Sequence, residues 1–102
     1  DEANAHLREE TQHLLVERQR LDSPAPEGMT SLLQTIDDPD IFTDIAAFHF
    51  CRDHAVRQRL LSTLNIHERM RFLARYLRRE IDATELRHRL QRGLTDDKIS
   101  HN

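Results

Sequence analysis

Glycine, proline, lysine, cysteine and tryptophan are all scarce in this 102-residue chain, and each shortage closes off a class of protein. With Gly28 and Gly93 as the only glycines, no glycine-rich loop can cradle a phosphate, so a nucleotide site is excluded. Three prolines and no tryptophan, set against abundant Leu, Arg, Glu, Gln and Ala, favour helix over a turn-rich β architecture. Lys98 is the single lysine, so a Ser-Lys dyad would have to draw on the polar C-terminal tail. A lone cysteine, Cys51, cannot form an internal disulfide, which favours a reducing compartment. Apolar runs are short, as at Ile45-Ala46-Ala47-Phe48, against the roughly 20 residues that a bilayer span needs. The opening Asp1-Glu2-Ala3-Asn4 has no Met, basic region or apolar region, so the expectation is no signal peptide and a piece of a longer chain.

What is present is charge and helical periodicity. The chain is 32% charged with a net charge of −3, and the signs are divided along it. Residues 1–50 sum to −8 and residues 51–102 to +5, so the halves should attract if they pack. At 12.1 kDa there is room for one core only, which makes 1–102 a single helical domain or subdomain.

The spacing predicts a first helix over 3–21, with Leu7, Leu14 and Leu21 at heptad intervals and Thr11 and Leu15 beside them. A Pro/Gly linker over 22–28 ends it, and short helices follow over 29–64. The first of these presents Met29, Leu32, Leu33 and Ile36. Asp38 caps the next, with Pro39 at its first position and Asp40 at the positive end of its dipole, and it presents Ile41, Phe42, Ile45, Ala46 and Phe48. Asp53 caps a further one carrying Val56, Leu60, Leu61 and Leu64. Asn65-Ile66-His67-Glu68 has the form of a capping box and opens a long helix over 65–92, with Gly93 as its left-handed stop and a polar tail over 93–102.

That last helix would be about 40 Å long, so its far end should project from the bundle. Ile66, Met70, Leu73, Leu77 and Ile81 form one stripe; Phe72, Tyr76, Ala83, Leu86 and Leu90 form a second, more than 90° away. The first stripe reads as core. Ala83, Leu86 and Leu90, continued by Leu94, read as a seam for a neighbour, the alternative being packing on Leu7 and Leu14 of the first helix. The expected fold is therefore an all-α bundle of about five helices ending in one long projecting helix.

Chemistry is sparse. Ser23, Ser31, Ser62 and Ser100 are scattered without a glycine elbow or oxyanion-hole motif, so no nucleophile-based enzyme is expected. His49, Cys51, Asp53 and His54 are metal-competent types, but no second pair lies at zinc-finger spacing, and neither metal nor cofactor is expected. Arg52 and the two histidines could activate the Cys51 thiol, though a half-buried loop cysteine is the plainer reading. Asp37, Asp38, Asp40 and Asp44 are accounted for by capping and dipole complementarity. Arg71, Arg75, Arg78 and Arg89 share a face, as on a phosphate-tracking helix, but Asp82 and Glu85 lie among them, and Arg78–Asp82 and Glu85–Arg89 form i,i+4 pairs. A solvated, self-neutralised face is preferred over a small Arg-rich nucleic-acid-binding module, which stands as the alternative.

From Gln58 to Ile81 the chain resembles the helical end of the N-terminal, substrate-binding domain of Lon-type ATP-dependent proteases. The positions carrying the likeness are Gln58, Leu60, Leu61, Leu64, Asn65, Glu68, Arg69, Met70, Leu73, Leu77, Glu80 and Ile81. Upstream, Ile36-Asp37-Asp38-Pro39 and Ile45-Ala46-Ala47 look like that family's Asp-Pro helix start and Ala-rich end. Phe50-Cys51-Arg52 departs from the Leu-Pro-Leu type connection of many members. The resemblance implies a cytoplasmic, non-catalytic element of protein quality control that engages unfolded or tagged polypeptide and helps assembly. Its partner-binding candidates are Ala83, Leu86, Leu90 and Leu94, where the neighbour would be a polypeptide, the next domain or a second copy through the last helix.

Overall fold

The computed structural model describes residues 2–22 and 25–100, with side chains described as far as residue 94. Five helices follow one another, and among the described residues there is no strand. They are α1 (Glu2–Arg20), α2 (Met29–Gln34), α3 (Pro39–Phe50), α4 (His54–Ser62) and α5 (Ile66–Ser100).

Local chemistry sets three of the helix starts. The Asp38 carboxylate accepts from the amides of Asp40 (2.8 Å) and Ile41 (3.4 Å), with Pro39 leading α3. Asp53 does the same for Ala55 (2.9 Å) and Val56 (3.3 Å) of α4. Asn65 accepts from the Glu68 amide at 3.0 Å, the forward half of a capping box, and the Glu68 carboxylate pairs instead with Arg71. Each such cap is worth about 1 kcal/mol. In the linker the backbone turns left-handed at Asp22 (φ 58°) and at Gly28 (φ 85°), where only glycine accepts that angle without strain.

The core gathers Leu14 and Leu15 of α1, Met29 and Leu33 of α2, Phe42, Ala46, Ala47 and Phe50 of α3, Leu60 of α4, and Met70, Leu73, Leu77 and Ile81 of α5. The stripe chosen from periodicity as core is thus the one inside, except for its first member, Ile66, which is only part-buried. Helices α1 and α5 run parallel: Asn4 meets His67 at their starts (2.5 Å) and Asp22 meets His88 beyond the end of α1 (2.8 Å). A hydrogen bond between Asp22 and His88 and an ion pair between Asp44 and Arg69 join the acidic half to the basic half.

Several expectations are corrected. Leu32, Ile41, Phe48, Leu61 and Leu64 are exposed rather than core, because α2 and α3 are each covered on one side only and Leu64 lies beyond the end of α4. Gly93 does not stop the last helix, which continues to Ser100, so helix replaces the expected tail over residues 93–100. A glycine inside a helix costs about 1 kcal/mol relative to alanine, and no proline follows to enforce a break. At 1.5 Å per residue α5 measures about 52 Å, which accounts for the 57 × 26 × 25 Å extents of the molecule. The radius of gyration is 16.1 Å, against about 13 Å for a compact chain of this length.

Candidate recognition surface

Helix α5 is sandwiched over its first half and bare on one side over its second. Taking 100° per residue, Leu77, Ile81, Thr84 and His88 lie within about 60° of one another on the side that α1 covers. Ile81 and Thr84 are buried there, and His88 reaches Asp22. Phe72, Tyr76, Ala83, Leu86, Leu90 and Leu94 occupy the opposite side. In the first half that side is covered: the Arg59 guanidinium of α4 lies 5.3 Å from the Phe72 ring centroid, and Tyr76 lies beside the buried Cys51 at the end of α3.

Past the end of α3 the same stripe has no cover. Leu86, Leu90 and Leu94 are 49%, 59% and 65% exposed, and Ala83 is exposed with them. All four partner-binding candidates therefore share one open face. They do not pack on Leu7 and Leu14, because α1 lies on the far side of α5.

Beside this seam run Arg71, Arg75, Arg78 and Arg89, with Asp82 and Glu85 among them, all exposed. Among the described residues, neither Arg78–Asp82 nor Glu85–Arg89 closes to ion-pair distance; the pair that forms is Arg71–Glu68 at 3.9 Å. The expected neutralisation is thus one of mixed charge along a surface rather than of closed contacts.

The other candidates resolve into structural roles. Cys51 is buried, and burial pushes its thiol up to about 12, so it is not an activated nucleophile. Burial also pushes the Tyr76 hydroxyl up. Among the described residues no group of His, Cys, Asp and Glu could hold a metal ion, and Asp53 is occupied as the α4 cap. Among the described residues no helix is long and apolar enough to cross a membrane.

Three arginines have roles that sequence reasoning missed. Arg8 donates to the Leu33 (3.0 Å) and Ile36 (2.7 Å) carbonyls and stacks 3.6 Å from the Phe42 ring centroid, closing the end of α2. Arg18 is buried and donates to the Leu21 carbonyl at 2.5 Å. Arg69 is the most engaged. Its guanidinium donates to the Thr63 (3.0 Å) and Leu61 (3.2 Å) carbonyls, to Thr43 Oγ1 (3.3 Å) and to Asp44 Oδ1 (3.1 Å). It thereby ties α3, α4 and α5 together. A signal was available, since Arg69 falls at an angle between the Ile66/Leu73 and Phe72/Tyr76 stripes, inside the apolar arc.

No protein-family model, curated protein or solved structure matches this chain.

Proposed function

We propose that this chain is a non-catalytic recognition and assembly element of the Lon type, which holds unfolded or tagged polypeptide against the Ala83/Leu86/Leu90/Leu94 seam of α5. The observation that carries this reading is the seam itself: three leucines, each about half or more exposed, aligned on a helix that outruns the bundle. Apolar residues gathered on a projecting helix are favourable only where something covers them, and an extended apolar chain segment is suited to a long, shallow stripe. The Gln58–Ile81 resemblance supplies the type. In this reading the chain carries no chemistry of its own, and its place is the cytoplasm, beside the machinery that degrades what it holds.

The test is binding of a fluorescent, permanently unfolded polypeptide, such as a reduced and alkylated protein, to the wild type and to Leu86→Asp/Leu90→Asp. Loss of binding of at least tenfold with an unchanged thermal midpoint is expected. Undiminished binding, or unfolding of the variant, overturns the assignment. Arg75, Arg78 and Arg89, which close no ion pair among the described residues, favour a second reading, an Arg-rich nucleic-acid-binding arm. Duplex or single-strand binding that falls steeply with salt, together with no affinity for unfolded polypeptide, would establish it instead.

A further inference from the structure

Helix α3 is apolar on both sides; the fold covers one side fully and the other only at its middle, where Ile45 packs against the core. Phe42, Ala46, Ala47 and Phe50 point into the core. Ile41, Ile45 and Phe48, at i, i+4 and i+7, lie opposite them; Ile41 is exposed, Ile45 is part-buried, and Phe48 is 67% exposed. A helix that is apolar all round is normally covered all round.

Helix α4 extends this face. The two helices run antiparallel: the Arg57 guanidinium lies 6.0 Å from the Phe48 ring centroid at one end. Arg69 bonds both Asp44 and the Leu61 carbonyl towards the other. This sets Leu61 at the level of Asp44 and Ile45, and Leu64 follows past the end of α4 towards the level of Ile41; both are exposed. Together these side chains expose on the order of 500 Å² of apolar surface, at the upper end of what monomers leave open.

The charges around this face are polarised along it. Asp37, Asp38 and Asp40 stand at the Ile41 end, and Arg52 and Arg57, with Asp53 between them, stand at the Phe48 end, so one end is net negative and the other net positive. Such a face is complementary to itself when turned end for end. We infer that the outer face of the α3–α4 hairpin docks a second copy of this chain across a two-fold axis near Ile45, with Ile41 facing Phe48 of the other copy and Asp37 facing its Arg52. Two copies would bury on the order of 1,000 Å², at the lower limit for a specific interface, which fits a weak, reversible dimer. The antiparallel arrangement also opposes the two α3 dipoles favourably. This surface lies on α3 and α4, apart from the α5 seam, so polypeptide binding and self-association are separate readouts.

The experiment is sedimentation velocity on the 102-residue chain from about 1 µM to 1 mM. Wild type is expected to pass reversibly from monomer to dimer, and Phe48→Asp to weaken the dimer at least tenfold with an unchanged melt. Asp37→Arg and Arg52→Asp should each weaken it alone, through like charges facing across the axis. Mixed together, these two variants should form a heterodimer of near wild-type strength, because both pairs are then opposite in sign. A chain that stays monomeric at 1 mM overturns the proposal. So does a dimer lost in Leu86→Asp/Leu90→Asp but kept in Phe48→Asp, which would place the interface on α5. A mixture that stays as weak as its components overturns the two-fold register.

Discussion

Replacing Arg69 removes the side chain that joins three helices, and its acceptors allow the cost to be worked out. Two of them are the Leu61 and Thr63 carbonyls at the end of α4, which the helix itself cannot satisfy. Hydrogen bonds from a charged donor contribute about 1.5–3 kcal/mol each, though two bonds from one guanidinium do not add in full. The carboxylates contribute less. Asp44 and Asp40 are 56% and 66% exposed and sit 3.1 and 3.6 Å from the guanidinium, so water screens them and about 0–1 kcal/mol is their share. The buried stem adds about 0.8 kcal/mol per methylene. Arg69→Ala should therefore cost about 3–4 kcal/mol, a large part of the 5–15 kcal/mol that holds a typical domain. Arg69→Met, which keeps the stem, should cost about 2–3 kcal/mol, and Arg69→Lys, which keeps the charge but not the planar fork, about 1.5–2 kcal/mol. Urea melts followed by circular dichroism measure all three without adding salt, and the denaturant slope should stay unchanged. Because the carbonyls dominate, 0.5 M NaCl should shift the loss in Arg69→Ala by less than about 0.5 kcal/mol. A loss below about 1 kcal/mol in Arg69→Ala, or wild-type stability in Arg69→Lys, would refute the reasoning.

Two further outcomes follow from the packing. Leu73 has no exposed surface at the centre of the bundle, so Leu73→Ala should cost about 2–5 kcal/mol in the same melts, and a loss below half a kcal/mol would show that the wrong face of α5 has been placed inside. The Cys51 thiol is pushed by burial from 9.0 up to about 12; a raised value means stability present below the unfolded value and lost above it, so the advantage of wild type over Cys51→Ala should shrink by about 1.4 kcal/mol between pH 8 and 10. A pH-independent difference between the two would contradict that burial.

The helix starts were legible in the sequence because capping is settled within one turn. Asp38, Asp53 and Asn65 each find their amide partners two or three residues ahead, and no tertiary contact is needed to place them. The Leu73/Leu77/Ile81 stripe was equally legible, since five large apolar residues at helical spacing leave one face to bury. Ala83, Leu86, Leu90 and Leu94 were legible as a second apolar stripe, centred more than 90° from the first.

Which apolar residues stay outside was decided only by tertiary structure. Periodicity gives Ile41 and Phe48 the same character as Phe42 and Ala46, and nothing local says that α3 is covered on one side alone. Leu64 continues the apolar face of α4 in the sequence, but Thr63 ends the helix and leaves it beyond. Gly93 carries a stop signal, yet a glycine inside a helix costs only about 1 kcal/mol, and α5 runs through it. The arginines show the reverse case. Arg8, Arg18 and Arg69 look like surface charges in a basic, solvated chain, and they become interior fasteners because helix ends from distant parts of the sequence bring unpaired carbonyls to them. A cap acts over two or three residues and is written where it acts. Burial depends on which helices arrive at a face, and here that was settled when α1 took one side of α5 and α3 and α4 took half of the other.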